Sequence, residues 1–180
     1  MSCTCRSFVI TVFTFLAIAL AAQAQTAPIK PGLWQVQSER EVNGQKVPDA
    51  SDRMKNMSPE KRAQFEAMMK QHGVATDGSG LHQVCYTKEN LDYSAWADQA
   101  MDCKATFSSH TGSFWKWHTS CPTMGIEADG EATFLNSQSY MVKSTSVVKK
   151  DDKTRTSSNT MTGKWLSSDC GDVKPLNVKP

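Results

Sequence analysis

Residues 103–121, CKATFSSHTGSFWKWHTSC, most restrict the fold, because two cysteines enclose two strand-like runs joined by a Thr-Gly-Ser turn. In an antiparallel hairpin with a three-residue loop centred on Gly112, Cys103 lies opposite Cys121. Since side chains alternate between the faces of a strand, this register collects one set on one face: Cys103, Ala105, Phe107, Ser109, Trp115, Trp117, Thr119 and Cys121. A two-residue loop with a bulge in one strand gives the same apolar pattern. Both hairpins predict a Cys103–Cys121 disulfide.

The other cysteines extend this hairpin to a framework of two disulfides. The chain has six cysteines, of which the first two lie in an N-terminal segment that we expect to be removed. Pairing Cys103 with Cys121 leaves Cys85 to pair with Cys170. An even number of cysteines in an exported chain indicates structural disulfides in an oxidising compartment. The chain has no Cys-x-x-Cys spacing of the kind that lowers the pKa of a reactive thiol.

The N-terminal residues have the pattern of a secretory signal peptide. A basic residue precedes an almost wholly apolar run, and Ala22 and Ala24 place small side chains where a signal peptidase cuts. We therefore predict a signal peptide over 1–24, cleaved before Gln25, and a single disulfide-stabilised β-rich domain over 25–180. The apolar run is shorter than the roughly 20 residues of a membrane span, and no transmembrane segment is expected in the mature chain. The expected location is the periplasm or the medium.

Charge and motifs exclude several classes of function. The formal net charge of +2 gives no electrostatic basis for binding nucleic acid. The chain contains no Gly-x-Ser-x-Gly, phosphate loop or dinucleotide fingerprint, and its four histidines lack the spacing of zinc ligands. We expect neither a cofactor nor a catalytic residue, and we do not expect an enzyme.

Alternation and turn signals predict a mostly β (α+β) fold. Trp34 and Val36 share one face of a first strand. From Cys103 onward the chain reads as strands separated by turns at Thr111-Gly112, Asn136-Ser137 and Lys150-Asp151-Asp152. About six or seven strands in an antiparallel meander sheet, or a partly closed barrel, fit this pattern. The hydroxyl-rich strands after Ser139 suit an edge or a solvated face.

Two helices accompany the strands. The segment SPEKRAQFEAMMKQHG predicts an amphipathic helix over 58–72, capped by Ser58 and stopped by Gly73. Its apolar stripe is expected to pack on the sheet, and the helix is a candidate lid. The segment KENLDYSAWADQA predicts a second, short helix that directs Trp96 inward.

Large aromatic side chains dominate the predicted inward faces. They are Trp34, Trp96, Phe107, Trp115, Trp117, Phe134 and Trp165. Such rings either line a pocket for a small apolar ligand or form the core that a small domain needs, and the core is their more common use. The candidate ligand-lining residues are Trp34, Phe107, Trp115, Trp117 and Phe134.

Two clusters are weaker candidates for metal sites. The stripe Glu127, Asp129 and Glu131 offers oxygen ligands for Ca²⁺, or is a solvated face balanced by Lys143 or Lys149. A second cluster offers soft ligands for copper or simply packs, and consists of Met54, Met57, Met68, Met69 and His72. Packing and solvation are the more common roles in both cases.

Several segments carry a family resemblance. These segments are KPGLWQV, SPEKRAQFEAMM, CYT at 85–87, the Trp-rich strand into Cys121, and GKWLSSDCG. In them the chain resembles a bacterial family of exported proteins, domain of unknown function 3617. The resemblance runs from about Ile29 to Gly171. It implies a single antiparallel β domain, periplasmic or secreted, in a Gram-negative bacterium, and it implies no catalytic site.

The expected function is that of a non-enzymatic binding or interaction module. Its partner would be a small apolar ligand or an envelope protein. The alternatives are a structural or envelope-stress protein whose sheet is fully packed, and a weak copper or calcium binder.

Overall fold

A computed structural model describes residues 26–76, 80–92 and 102–176 of the chain. The predicted signal peptide, its cleavage site and Trp96 lie outside the described residues. The described residues form one antiparallel sheet of nine strands that does not close into a barrel. The mostly β class is confirmed, and the strand number of six or seven was too low. The strands are β1 Gly32–Val42, β2 Gln45–Val47, β3 Val74–Thr76, β4 His82–Tyr86, β5 Lys104–His110, β6 Phe114–Cys121, β7 Ile126–Asn136, β8 Ser139–Lys150 and β9 Lys153–Ser167.

The strand order excludes one of the two placements expected for the hydroxyl-rich strands. Strands β5 to β9 form a consecutive meander, and β1 then pairs with β9, so that the order is β3-β4-β1-β9-β8-β7-β6-β5. Strand β2 pairs with the far end of β1 through a hairpin at Asn43-Gly44. The hydroxyl-rich strands β8 and β9 therefore lie inside the sheet, not at its edge. Their Ser and Thr side chains include a bonded pair, since the Ser146 and Ser157 hydroxyl oxygens lie 2.9 Å apart.

The hairpin of β5 and β6 follows the predicted register for most of its length. Ala105 pairs with Thr119 and Phe107 with Trp117, and a bulge then shifts the register between Phe107 and Ser109. His110 rather than Ser109 consequently lies opposite Trp115. Of the two hairpins that the sequence left open, the structure has the one with a bulge and a shorter loop.

The structure joins the four described cysteines in the two predicted pairs. The sulfur atoms of Cys103 and Cys121 are 1.96 Å apart, and those of Cys85 and Cys170 are 2.01 Å apart. The first disulfide closes the base of the β5–β6 hairpin. The second ties β4 to the segment that follows β9, across 85 residues of sequence.

Short helices lie at the ends of strands. Helix α2 spans Pro59–Gln71, with the Ser58 hydroxyl accepting a hydrogen bond from the Lys61 amide. It is preceded by the shorter helix α1, Ala50–Lys55. Two 3-10 turns occupy Glu89–Leu91 and Pro122–Met124, the first of them within the predicted short helix.

Helix α2 differs from the prediction in its packing. None of its side chains is buried, Met68 is 46% exposed, and its neighbour in the fold is the short strand β3. Phe65 and Met69 of the apolar stripe are half-buried, so the described residues cover the stripe only in part.

One face of the sheet carries the core. The buried residues that cluster there are Trp34, Val36, Val84, Trp115, Ala132, Phe134 and Tyr140. Trp34 lies on the interior strand β1 and has no exposed surface. Ala27 and Ile29, which precede β1, pack against this cluster together with Leu176 near the C-terminus. We call this side the core face.

Candidate functional site

An apolar cavity of about 390 Å³ lies on the core face. The large side chains of β5 to β9 that form its wall are Phe107, Trp115, Trp117, Phe134, Tyr140, Val142 and Met161. Ala27, Ile29, Tyr86 and Leu91 line it from the side of β1 and β4. The cavity thus has walls from both ends of the sheet, although neither edge strand pairs with the other.

Four of the five predicted ligand-lining residues lie in this wall. They are Phe107, Trp115, Trp117 and Phe134. Trp34 does not line the cavity, because it is fully buried beneath the neighbouring rings, with its centroid 5.2 Å from that of Tyr140. Its indole N–H donates to the Lys30 carbonyl over 2.9 Å. Trp34 is therefore a core residue, and its assignment to the ligand site is corrected.

The aromatic rings of the wall contact one another edge to face. Trp115 and Phe134 meet at 5.1 Å with an interplanar angle of 73°, and Phe107 meets Trp115 at 6.0 Å and 83°. Edge-to-face contacts of this kind are favourable beyond the area that they bury. The bulge in β5 also brings His110 against Trp115, with ring centroids 4.5 Å apart, although His110 is exposed and does not line the cavity. The wall is thus built of mutually supporting rings.

Two glycines make room for rings of the wall. Trp117 covers Gly130, its direct partner on β7, and Tyr140 covers Gly163, its partner on β9. A Cβ at either glycine would overlap the ring above it. Glycine inside a strand often marks such a close approach.

The sequence did not identify the polar groups of the cavity. Tyr86 on β4 and Tyr140 on β8 both line it, and their hydroxyl oxygens lie 2.9 Å apart. Burial raises the pKa of both phenols, and the Tyr86 hydroxyl raises that of Tyr140 further. Both hydroxyls are therefore neutral at physiological pH. Alternation places Tyr86 on the face of Val84, but the encounter with Tyr140 depends on the strand order.

The acidic stripe lies on the opposite face of β7 and is engaged with a histidine. The His118 ring nitrogens lie 3.0 Å from a Glu127 oxygen and 3.0 Å from an Asp129 oxygen. Hydrogen bonding to Asp129, with the smaller contributions of both carboxylates' charges, raises the pKa of His118. Glu131 stands opposite Lys143 as predicted, whereas Lys149 pairs with Thr154.

Helix α2 and the methionine cluster do not line the aromatic cavity. Ala63, Glu66 and Ala67 of α2 line a second cavity, of about 720 Å³, together with Leu33 and Gln83. Those two residues alternate with Trp34 and Val84 and so lie on the face opposite the core face. The expectation that helix 58–72 is a lid over the aromatic rings is therefore corrected.

The described part of the chain has neither a cluster of metal-ligating side chains nor a membrane-spanning helix. Its His, Cys, Asp and Glu side chains form no group of three or more placed to hold a metal ion. Within residues 26–76, 80–92 and 102–176, no helix has the length and apolar character needed to cross a membrane.

Comparisons with known proteins place the chain in a family. The family model described as protein of unknown function (DUF3617) matches residues 29–170. An uncharacterized protein in the lpd-3 5'region of Pseudomonas putida is 32% identical over 130 residues, which cover 67% of this chain and 89% of that protein. No solved structure matches significantly. The chain therefore belongs to the DUF3617 family of proteins of unknown function.

Proposed function

We propose that the protein is a binding module that holds a small apolar molecule in the cavity of the core face. The observation that carries the proposal is the aromatic wall, in which Phe107 and Trp117 stay only half-buried beside about 390 Å³ of space. Ligand sites in proteins are commonly apolar concavities of roughly 300–1,000 Å³ with a few polar groups. The cavity has this size and this composition.

Export to an oxidising compartment is the second part of the proposal. The apolar N-terminal run that ends at Ala22 and Ala24 supports it at the level of sequence. The two disulfides support it independently, since stable disulfides are characteristic of exported proteins. The module would then act on molecules of the cell envelope or the medium.

A matched pair of variants tests the binding proposal. Ala105 lines the cavity, whereas the adjacent Thr106 points to the other face of the same strand. Ethylnaphthalene, a neutral hydrocarbon, is titrated into the full exported protein while tryptophan fluorescence is recorded. We expect saturable quenching from Trp115 and Trp117.

The substitution Ala105→Phe fills the cavity and is expected to weaken binding by at least about tenfold, because the ring takes the space of the probe. Thr106→Phe adds the same ring outside the cavity and is expected to leave the affinity unchanged. Equal affinities in both variants would place the probe elsewhere and refute the proposed site. Absence of saturable binding would favour a sheet that serves only a structural role.

A further inference from the structure

We propose that the molecule held in this cavity is neutral and carries one hydrogen-bond acceptor, such as a ketone or ester oxygen, which the hydroxyl pair of Tyr86 and Tyr140 receives. This inference rests on the proposed function, because it specifies the occupant of the same cavity. It assigns the selectivity of the site to two residues.

The geometry of the pair leaves one donor unused. Two hydroxyls 2.9 Å apart share a single hydrogen bond, in which one O–H donates and the other oxygen accepts. The hydrogen of the accepting hydroxyl has no acceptor among the described residues. Tyr140 is only 4% exposed. Because an unpaired buried polar group is costly, an acceptor atom on the ligand is favoured at this point.

The tyrosine pair differs from the other polar residues that line the cavity. Asn90 also lines the cavity, but its side-chain oxygen accepts from the Thr87 amide and its amide group donates to the Leu176 carbonyl. Thr119 is half-buried on the opposite wall. Tyr140 is thus buried more deeply than Thr119, and Tyr86 is half-buried beside it.

The described residues that line the cavity are uncharged, and this indicates the class of ligand. Among the described residues that line the cavity there is no Lys, Arg or His and no carboxylate. A charged group brought into the cavity would lose its hydration without gaining an opposite charge, which is strongly unfavourable. The ligand is therefore neutral, with its polar atom at the tyrosine pair and its apolar body against the rings.

Three probes of nearly identical shape test this assignment: ethylnaphthalene, acetylnaphthalene and naphthoate. Their affinities for the full exported protein are measured by calorimetry at neutral pH. We expect acetylnaphthalene to bind about three- to tenfold more tightly than ethylnaphthalene, the value of one net hydrogen bond. Naphthoate is expected to bind most weakly.

The variant Tyr86→Phe/Tyr140→Phe removes both hydroxyls together, so that neither is left unpaired, and its fold is checked by circular dichroism. We expect the ratio of the acetylnaphthalene and ethylnaphthalene affinities to fall to about one in this variant. Thr145→Val removes a hydroxyl on the opposite face of β8 and is expected to keep the ratio of the unmodified protein.

Each remaining outcome overturns a distinct statement. A ratio that persists in the double variant, or that is lost in Thr119→Val instead, would refute the role of the tyrosines while leaving the cavity as a binding site. Tightest binding by naphthoate would refute the neutral class. Absence of binding by all three probes would refute the proposed function itself.

Discussion

The indole ring of Trp117 on β6 covers Gly130, the residue directly opposite it on β7. A side chain at Gly130 would overlap that ring, so the absence of a Cβ allows the ring to lie against the sheet. Trp117 then presents its other side to the cavity. A backbone feature of β7 therefore shapes the wall that we propose binds the ligand.

Gly130→Ala tests this relationship. The new methyl group displaces the Trp117 ring, and we expect the free energy of unfolding to fall by about 1–3 kcal/mol, the usual cost of overpacking. Binding of ethylnaphthalene should weaken as the ring moves into the cavity. Urea unfolding and the fluorescence titration measure the two effects.

Gly112→Ala is the control for this substitution. A Cβ there meets no atom within 4 Å, and we expect a change within about 0.5 kcal/mol. If Gly130→Ala were as mild as Gly112→Ala in both assays, the close contact between Trp117 and Gly130 would be contradicted.

The two disulfides are expected to contribute unequally to stability. In the loop-entropy account, the Cys85–Cys170 closure contributes about 4–5 kcal/mol and the Cys103–Cys121 closure about 3 kcal/mol. Replacing each pair by alanine and measuring urea unfolding gives the order. A larger loss for the hairpin pair would contradict this account, and peptide mapping that joins Cys85 to Cys103 would contradict the pairing.

The pH dependence of stability is expected to include a contribution from His118. Because hydrogen bonding to Asp129 raises the pKa of His118 in the folded chain, its stabilising effect is complete below the unfolded value of about 6.5. The effect is lost as pH rises through the raised pKa. The difference in melting temperature between the unmodified protein and His118→Gln should therefore shrink as pH rises. A difference that is constant or grows with pH would contradict the assignment.

Two carboxylate variants distinguish the partners of His118. The hydrogen bond that the His118 ring makes to the Asp129 carboxylate is the larger cause of the raised pKa of His118. In NMR titrations, Asp129→Asn should therefore lower the pKa of His118 more than Glu127→Gln does. The reverse order would show that Glu127 is the dominant partner in solution.

Helix α2 is expected to open before the sheet. None of its side chains is buried, whereas β9 lies between β1 and β8 and pairs with both along most of its length. Few buried contacts allow low-energy local opening. Hydrogen exchange followed by mass spectrometry should show α2 amides exchanging well before those of β9. Equal protection of the α2 and β9 amides would contradict the weak packing of α2.

The sequence predicts local features of this fold well because they depend on alternation and turns. The cysteine pairing across the β5–β6 hairpin follows from a register that can be counted along the chain. The choice between a longer loop and a bulge could not be made, since both put Phe107 and Trp117 on one face. Only the structure shows the bulge, and with it the position of His110 beside Trp115.

Relationships between distant segments account for what the sequence missed. Alternation cannot indicate that β1 pairs with β9, so the sequence could not decide between an edge and a solvated face for β8 and β9. The same pairing brings Tyr86 to Tyr140 above Trp34, and it buries Trp34 beneath them. Periodicity likewise identified the apolar stripe of α2, but it cannot indicate whether another surface covers that stripe.

Native mass spectrometry of the protein after export to a periplasm tests the central claim most directly. We predict a chain that begins at Gln25 and has both disulfides formed. In the native state its mass should include that of a bound, uncharged molecule, which is lost on denaturation. The Ala105→Phe variant should lack this mass, and Thr106→Phe should retain it. A native mass equal to the denatured mass in the unmodified protein would contradict a bound apolar molecule and leave the aromatic rings as core alone.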